Sequence, residues 1–340
     1  MTTRSPSDTT VLAGLDLPIL RARVTMRLLE DAALPAYKGG MLRGGFGYAF
    51  QRSSCPQACW GDSQHCAVGT LCPYRWIFET PHPPDVTHLH DLQDVPRPFV
   101  IEPPLDGRTR YGAGDALEFG LVLIGRGIDQ LAYFLFGFEQ LGRMGLGRRR
   151  APARLERVEA LAPWQPTGQA IYQDGRALAG ADMTGGARRG ALYDAAQLAA
   201  RAAELPGDLR LRIRTPLRVK SRGELLRAID PAALAQAACW RLNALATFHG
   251  GGPWPVDHRA IVEQARGVAV EQAQVRWEDW ERTSTRGPEP KTMTLGGMIG
   301  VAVLRGASPD VRAVLLAASL VHLGKACVFG HGEYRLEPLR

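Results

Sequence analysis

The chain has 340 residues, 45% hydrophobic and 22% charged, with a formal net charge of +7 and a pI of about 9.3. At roughly 150 residues per domain, that length suits two cores rather than one. The longest apolar run, AVLLAASLV at 313–321, is too short for a bilayer, which takes about 20 residues, and MTTRSPSDTT lacks the basic-then-apolar pattern of a signal peptide. A cytoplasmic protein with no membrane partner is therefore expected, and the surplus positive charge suits a polyanionic partner.

Residues 1–16 are polar and read as loose. ILRARVTMRLLE (19–30) reads as a strand. In YKGGMLRGGFGYAFQRSS (37–54), Leu42, Phe46, Ala49 and Phe50 fall at helical spacing, and the glycines cluster in the first turns, where a helix exposes backbone N–H groups. A cysteine-bearing insertion follows at 55–72. YRWIFET (74–80), RPFVIEPP (97–104) and DALEFGLVLIG (115–125) read as strands. Ile128, Leu131, Leu135 and Phe138 mark a second helix, and ARLERVEAL (153–161) closes the unit as a strand.

Residues 162–208 read as a mixed bridge, with a loop at 180–190 and a short helix in ALYDAAQLAARAAE. The plan then repeats. A strand at 209–220 leads to a helix at 231–248, with Leu234, Ala238, Leu242 and Leu245 on one face. Strands at 264–277 and 292–304, a helix at 309–323 and a final strand at 327–337 complete it. Both halves read β-α-β-β-α-β. The expected class is α+β, with tandem ferredoxin-like (RRM-like) domains. The N-terminal one spans 17–161 with its cysteine insertion at 55–72, a bridging segment spans 162–208, and the C-terminal one spans 209–340 with a glycine-rich loop. Fold alone does not assign a function.

Lysine stands only at 38, 220, 291 and 325; the remaining positive charge is arginine. Two stretches concentrate it. LGRMGLGRRRAPARLER (141–157) holds six arginines and one acid, and LRLRIRTPLRVKSR (209–222) holds five arginines, one lysine and no acid. In the second, Leu209, Leu211 and Ile213 alternate with Arg210, Arg212 and Arg214; after Thr215-Pro216, Leu217 and Val219 alternate with Arg218 and Lys220. One strand face is apolar and the other cationic. Same-face residues repeat at about 6.6 Å, near the phosphate spacing of an extended single strand, so the row can track a nucleic-acid backbone. An edge strand kept soluble by charge has the same pattern.

Cys55, Cys59, Cys66 and Cys72 lie within 18 residues, with His65 among them. Cytosolic thiols stay reduced, so the cluster suits a structural zinc or an iron–sulfur group better than disulfides. No tight C-x2-C pair is present, and ordinary buried thiols fit the spacing too. Cys239 and Cys327 lie in apolar stretches and read as core.

LPAYKGGMLRGGFG, PRPFVIEPP, GDALEFGLVLIG, LGRMGLGRRR, RTPLRVK, LGGMIG and LGKACVFGHGEY, in that order between about Leu17 and Glu337, give the chain a recognisable outline. It resembles the CRISPR repeat-processing endoribonucleases of the RAMP superfamily, which serve antiviral defence by cutting precursor CRISPR RNA. The resemblance implies RNA held across two RRM-like domains and metal-independent cleavage, with no catalytic cofactor. A ribose 2′-OH would attack the adjacent phosphate and leave 2′,3′-cyclic phosphate and 5′-OH ends. The implied partners are CRISPR repeat RNA and other CRISPR effector subunits.

The resemblance also implies that the C-terminal glycine-rich loop touches RNA. Gly324, Gly330 and Gly332 would let backbone N–H groups approach a phosphate, and Lys325 would add a charge. A tight turn and a bulge need the same glycines. Many members carry a general-base histidine in or near the first helix, but no histidine occurs between Leu34 and Ser54 here. The candidate catalytic groups are therefore His322, His331, Tyr37 and Lys325. The same helical face that carries Val311, Leu315 and Ala318 can equally take His322 into the core. Candidate RNA contacts are Lys38, Arg43, Arg210, Arg212, Arg214, Arg218, Lys220 and the three glycines. The alternatives are a non-catalytic RAMP subunit that binds guide RNA, and a redox module built on the cysteines.

Overall fold

In RARVTMRL apolar residues alternate with arginines, and the segment forms the central strand β1 (Ile19–Leu28). The protein is described here from a computed structural model, which covers residues 11–55, 66, 68, 72–80, 82, 89, 92, 94–178, 190–284 and 291–339. Two compact units emerge. One comprises Pro18–Tyr193 with Phe248–Gly250; the other comprises Asp194–Thr247 and Gly251–Arg340 with the leading residues up to Leu17.

In the first unit β1 is followed by α1 (Gly39–Ser54), α2 (Pro73–Phe78), β2 (Phe99–Glu102), β3 (Ala116–Ile124), α3 (Leu131–Met144), β4 (Ala153–Leu161) and β5 (Gly168–Gln173). Its main strands pair antiparallel in the order β2-β3-β1-β4-β5. The first four strands follow the ferredoxin-like order. Phe46 of α1 centres the core, with ring centroids 5.1 Å from Phe134, 4.6 Å from Phe138, 5.9 Å from Phe99 and 5.9 Å from Phe78. Gly137 lets α3 close on α1, since a Cβ there would lie 2.8 Å from the Phe46 ring. Charged side chains of this sheet neutralise one another: Arg21 pairs with Glu102 at 2.7 Å, Arg23 with Glu159 at 3.5 Å and Arg27 with Glu156 at 2.6 Å.

In the second unit come α4 (Ala195–Ala203), β6 (Leu209–Leu217), α5 (Pro231–His249), α6 (His258–Arg266), β7 (Ala269–Glu278), β8 (Gly297–Arg305), α7 (Pro309–Leu320) and β9 (Tyr334–Pro338). The last two residues of α5 group with the first unit. Four strands pair antiparallel in the order β7-β8-β6-β9, the same topology as in the first unit. The fold class is thus tandem ferredoxin-like. Leu209, Leu211 and Ile213 of β6 are buried, while Arg210, Arg212 and Arg214 take the other face. Because β8 and β9 flank β6, it is an interior strand, not an edge strand.

Three segments differ from their sequence-based expectation. Residues 73–78 form a helix, not a strand, because Pro73 sits at its first turn and Tyr74, Ile77 and Phe78 share one buried face. Residues 258–266 are helical as well: the Asp257 carboxylate accepts from the Arg259 and Ala260 amides, and Ile261 and Ala265 are buried one turn apart. The C-terminal stretch is not one strand. Positive φ at His322, Gly324, Ala326, Gly330 and Gly332 breaks it into a loop with a single 3-10 turn, Cys327–Phe329, before β9.

The 162–208 bridge divides between the units. Residues up to Tyr193 group with the first, where β5 extends the sheet, and residues from Asp194 with the second, where α4 packs on α7. The 180–190 loop falls outside the described residues, apart from Gly190. Among the described residues no helix is long and apolar enough to cross a membrane.

Candidate functional site

Thr215 and Pro216 shift the register of β6 against β8, and the glycine-rich loop closes on that irregularity. The buried Thr215 hydroxyl donates to the Gly330 carbonyl at 2.7 Å and accepts from the Glu333 amide at 2.8 Å. The Gly332 amide donates to Pro216 O at 3.1 Å, and the Lys325 amide to Arg218 O at 2.9 Å. Arg218, Gly324, Lys325, Gly330 and Gly332 are therefore brought together at the end of β6.

The glycines are needed for backbone against backbone. A Cβ on Gly324 would lie 2.5 Å from the Arg218 carbonyl oxygen, and one on Gly332 would overlap the Leu323 carbonyl, with φ positive at both. Lys325 is exposed on this braced loop.

His322 and His331 lie beneath the loop, both fully buried. His322 Nδ1 is 2.9 Å from the His331 carbonyl oxygen, and the His331 ring lies 4.7 Å from that of Trp280. Burial first, then the neighbouring His322 and Arg218, lowers the His331 pKa to about 4. Both imidazoles, expected as catalytic or RNA-contacting groups, are buried in this arrangement. His322 lies two residues past α7 with positive φ, so the loop buries it, not the helical face of Val311, Leu315 and Ala318.

The cationic row is only partly free. Arg212 pairs with Glu337 at 3.1 Å, and Arg214 pairs with Glu333. Arg218 donates to the Gly296 carbonyl at 3.1 Å, an uncharged partner. Among the described residues no carboxylate pairs with Arg210 or Lys220. The two counter-ions were missed in the sequence. Their signal is the alternation Glu333, Arg335, Glu337 leading into and along β9, which places acids beside the basic strand.

Tyr37, Lys38 and Arg43 belong to the first unit, at the start of α1. Tyr37 is half-buried. Lys38 is fully buried at the helix N-cap; its ammonium lies 3.4 Å from Asp106, 3.3 Å from the Ala36 carbonyl and 5.6 Å from the Tyr111 ring centroid. Burial raises the Asp106 pKa, but the Arg108 amide and the Lys38 ammonium outweigh it and hold the carboxyl below the ordinary range. Lys38, expected to contact RNA, has its ammonium enclosed in this arrangement. Arg43 is half-buried and lies over the Phe78 ring at 5.1 Å.

Cys55 and Cys72 are buried and Cys66 half-buried, while Cys59 and His65 lie outside the described residues. Among the described residues no group of three His, Cys, Asp or Glu is placed to hold a metal. Cys239 and Cys327 are core thiols. Burial raises both pKa values, that of Cys239 to about 12.

Residues 211–334, which contain most of β6 and the whole glycine-rich loop, match the family model of the CRISPR-associated endoribonuclease Cas6. This part of the chain resembles Cas6. Residues 17–183 match a second model, described as an N-terminal domain. The fold agrees with solved Cas6 structures. A Cas6 product complex superposes with a TM-score of 0.53 at 16% identity, over 94% of this chain and 99% of its own. A chain of a partial Cas6-RT-Cas1–Cas2 complex gives 0.55 at 15% identity over 94% of this chain; the present chain spans 46% of that longer one. No curated protein sequence matches the chain.

Proposed function

We propose that this chain is a Cas6-family endoribonuclease that cuts precursor CRISPR RNA within the repeat, without a metal, leaving 2′,3′-cyclic phosphate and 5′-OH ends. The observation that carries the reading is the exposed Lys325 on a loop tied by backbone hydrogen bonds to the basic strand at Arg218, inside the residues that match the family.

In this chemistry the ribose 2′-oxygen loses its proton and bonds to the neighbouring phosphorus. The P–O5′ bond breaks and O5′ takes a proton. Lys325 opposes the charge that builds on the phosphoryl oxygens. Arg210, Arg218 and Lys220, with Arg212 and Arg214 where RNA displaces their carboxylates, line the phosphate track, and Arg43 adds a contact on the first unit. His322 and His331 act as positioning residues that fix the loop. The partners are repeat RNA and other CRISPR proteins.

A second reading, a subunit that holds guide RNA without cutting it, is favoured by the lack of histidine between Leu34 and Ser54 and by the burial of His322 and His331. Incubation of purified protein with precursor RNA in EDTA separates the two. Discrete cleavage within the repeat, with cyclic-phosphate ends, supports the endonuclease. Tight binding without cleavage, with or without added divalent metal, supports the subunit. Cleavage abolished by EDTA and restored by metal would overturn the metal-free mechanism.

A further inference from the structure

Just past β6, Lys220–Ser221 and Glu224–Leu225 form a short hairpin whose turn, Arg222-Gly223, has positive φ at both residues. The Leu226 amide ties its far end back to the Val219 carbonyl at 3.0 Å. The next residue, Arg227, lies over the indole of Trp277, a residue of β7, with its guanidinium carbon 3.5 Å from the ring centroid. The ring is fixed from elsewhere. Its Nε1–H donates to Asp279 at 2.8 Å, and it packs against Gly296, where a Cβ would come within 2.9 Å of the indole Cε2. The Gly296 carbonyl in turn accepts from Arg218, which joins this stack to the end of the basic strand.

Arg227 is exposed, and among the described residues no carboxylate pairs with Arg227, Lys220 or Arg222. Arg212 and Arg214, by contrast, are already neutralised. A guanidinium held over a ring, uncompensated and open to solvent, offers a cationic surface of the kind on which an unpaired nucleobase stacks.

We propose that the Arg227–Trp277 stack is a platform for one unpaired nucleobase of bound RNA, with Lys220 and Arg222 taking the flanking phosphates. This rests on the RNA-binding reading above and adds a base contact to what is otherwise a phosphate track.

The test measures binding of a labelled single-stranded RNA of mixed sequence, and of a series carrying one abasic nucleotide at successive positions. Arg227→Ala and Arg227→Lys are compared with wild type, with thermal midpoints as the folding control. Base stacking contributes about 1–3 kcal/mol, so both variants should bind roughly tenfold more weakly. One abasic position should cost the wild type a similar factor and cost Arg227→Ala nothing. If Arg227→Lys binds like wild type, the contact is charge alone and the platform is refuted. The same holds if every abasic position costs wild type and Arg227→Ala equally. If the wild type binds no RNA, the platform falls together with the RNA-binding reading; if it binds and the variants are unaffected, only the platform falls.

Discussion

Gly324 lies alongside Arg218 as a parallel bridge, and a Cβ on Gly324 would come within 2.5 Å of the Arg218 carbonyl oxygen. The glycine-rich loop is thus a part docked against the basic strand, and its exposed lysine inherits that rigidity.

Gly324→Ala and Gly332→Ala should both destabilise the protein. Each places a side chain at positive φ and against a carbonyl, and backbone strain of this kind costs about 1–3 kcal/mol before the steric overlap is added. Gly223→Ala is the control: its φ is also positive, but nothing lies within 4 Å of the new Cβ, so it should cost less. Denaturant midpoints check the order. Equal losses at all three would mean that the close approach of loop and strand contributes nothing.

The cations of β6 and the hairpin after it should differ in their effect on RNA binding. Neutralising Arg210 and Lys220, which no described carboxylate pairs with, should flatten the log–log salt dependence by roughly 0.7 for each phosphate left without its cation. Arg212→Ala should leave the slope nearly unchanged, because Glu337 already neutralises that guanidinium. A slope that responds equally to all three would show that RNA displaces the carboxylate.

Stability should fall on acidification through His331. Its folded pKa, about 4, lies below the ordinary value of 6.5, so between those two values the unfolded chain binds a proton that the folded one refuses. The stabilisation is complete above pH 6.5 and is lost as pH falls toward 4, by roughly 3 kcal/mol at most for a shift of this size. Unfolding free energies measured across that window should drop less steeply in His331→Gln than in wild type. Parallel curves would place the pH sensitivity elsewhere.

Single-turnover cleavage should separate Lys325 from the two candidate histidines. Lys325→Ala should slow cutting about 100-fold, the usual cost of removing a transition-state charge partner, with RNA affinity nearly unchanged. His322→Ala and His331→Ala should lower the thermal midpoint and, in protein that remains folded, cut at close to the wild-type rate. A folded histidine variant that loses 100-fold while Lys325→Ala does not would return the chemistry to the imidazoles.

Much of the architecture was legible in the sequence because it is written in short-range periods. The alternation of LRLRIR places β6 and its two faces, helical spacing in GGMLRGGFGYAF places α1, and the repeated β-α-β-β-α-β order carries the tandem fold. Where local signals compete, the sequence was silent. IFET and QARGVAV have strand-forming residues, yet Pro73 and the Asp257 cap start helices nearby, and burial of one helical face decided the outcome. What the sequence could not hold is anything that depends on register between distant strands. Arg212 and Arg214 are neutralised only because β9 pairs with β6 and brings Glu337 and Glu333 within reach. The same docking leaves Lys325 exposed and takes His322 and His331 out of water. Residue type determined which groups were able to carry charge or protons. Tertiary packing, by removing some from solvent and pairing others, decided which of them a substrate can reach.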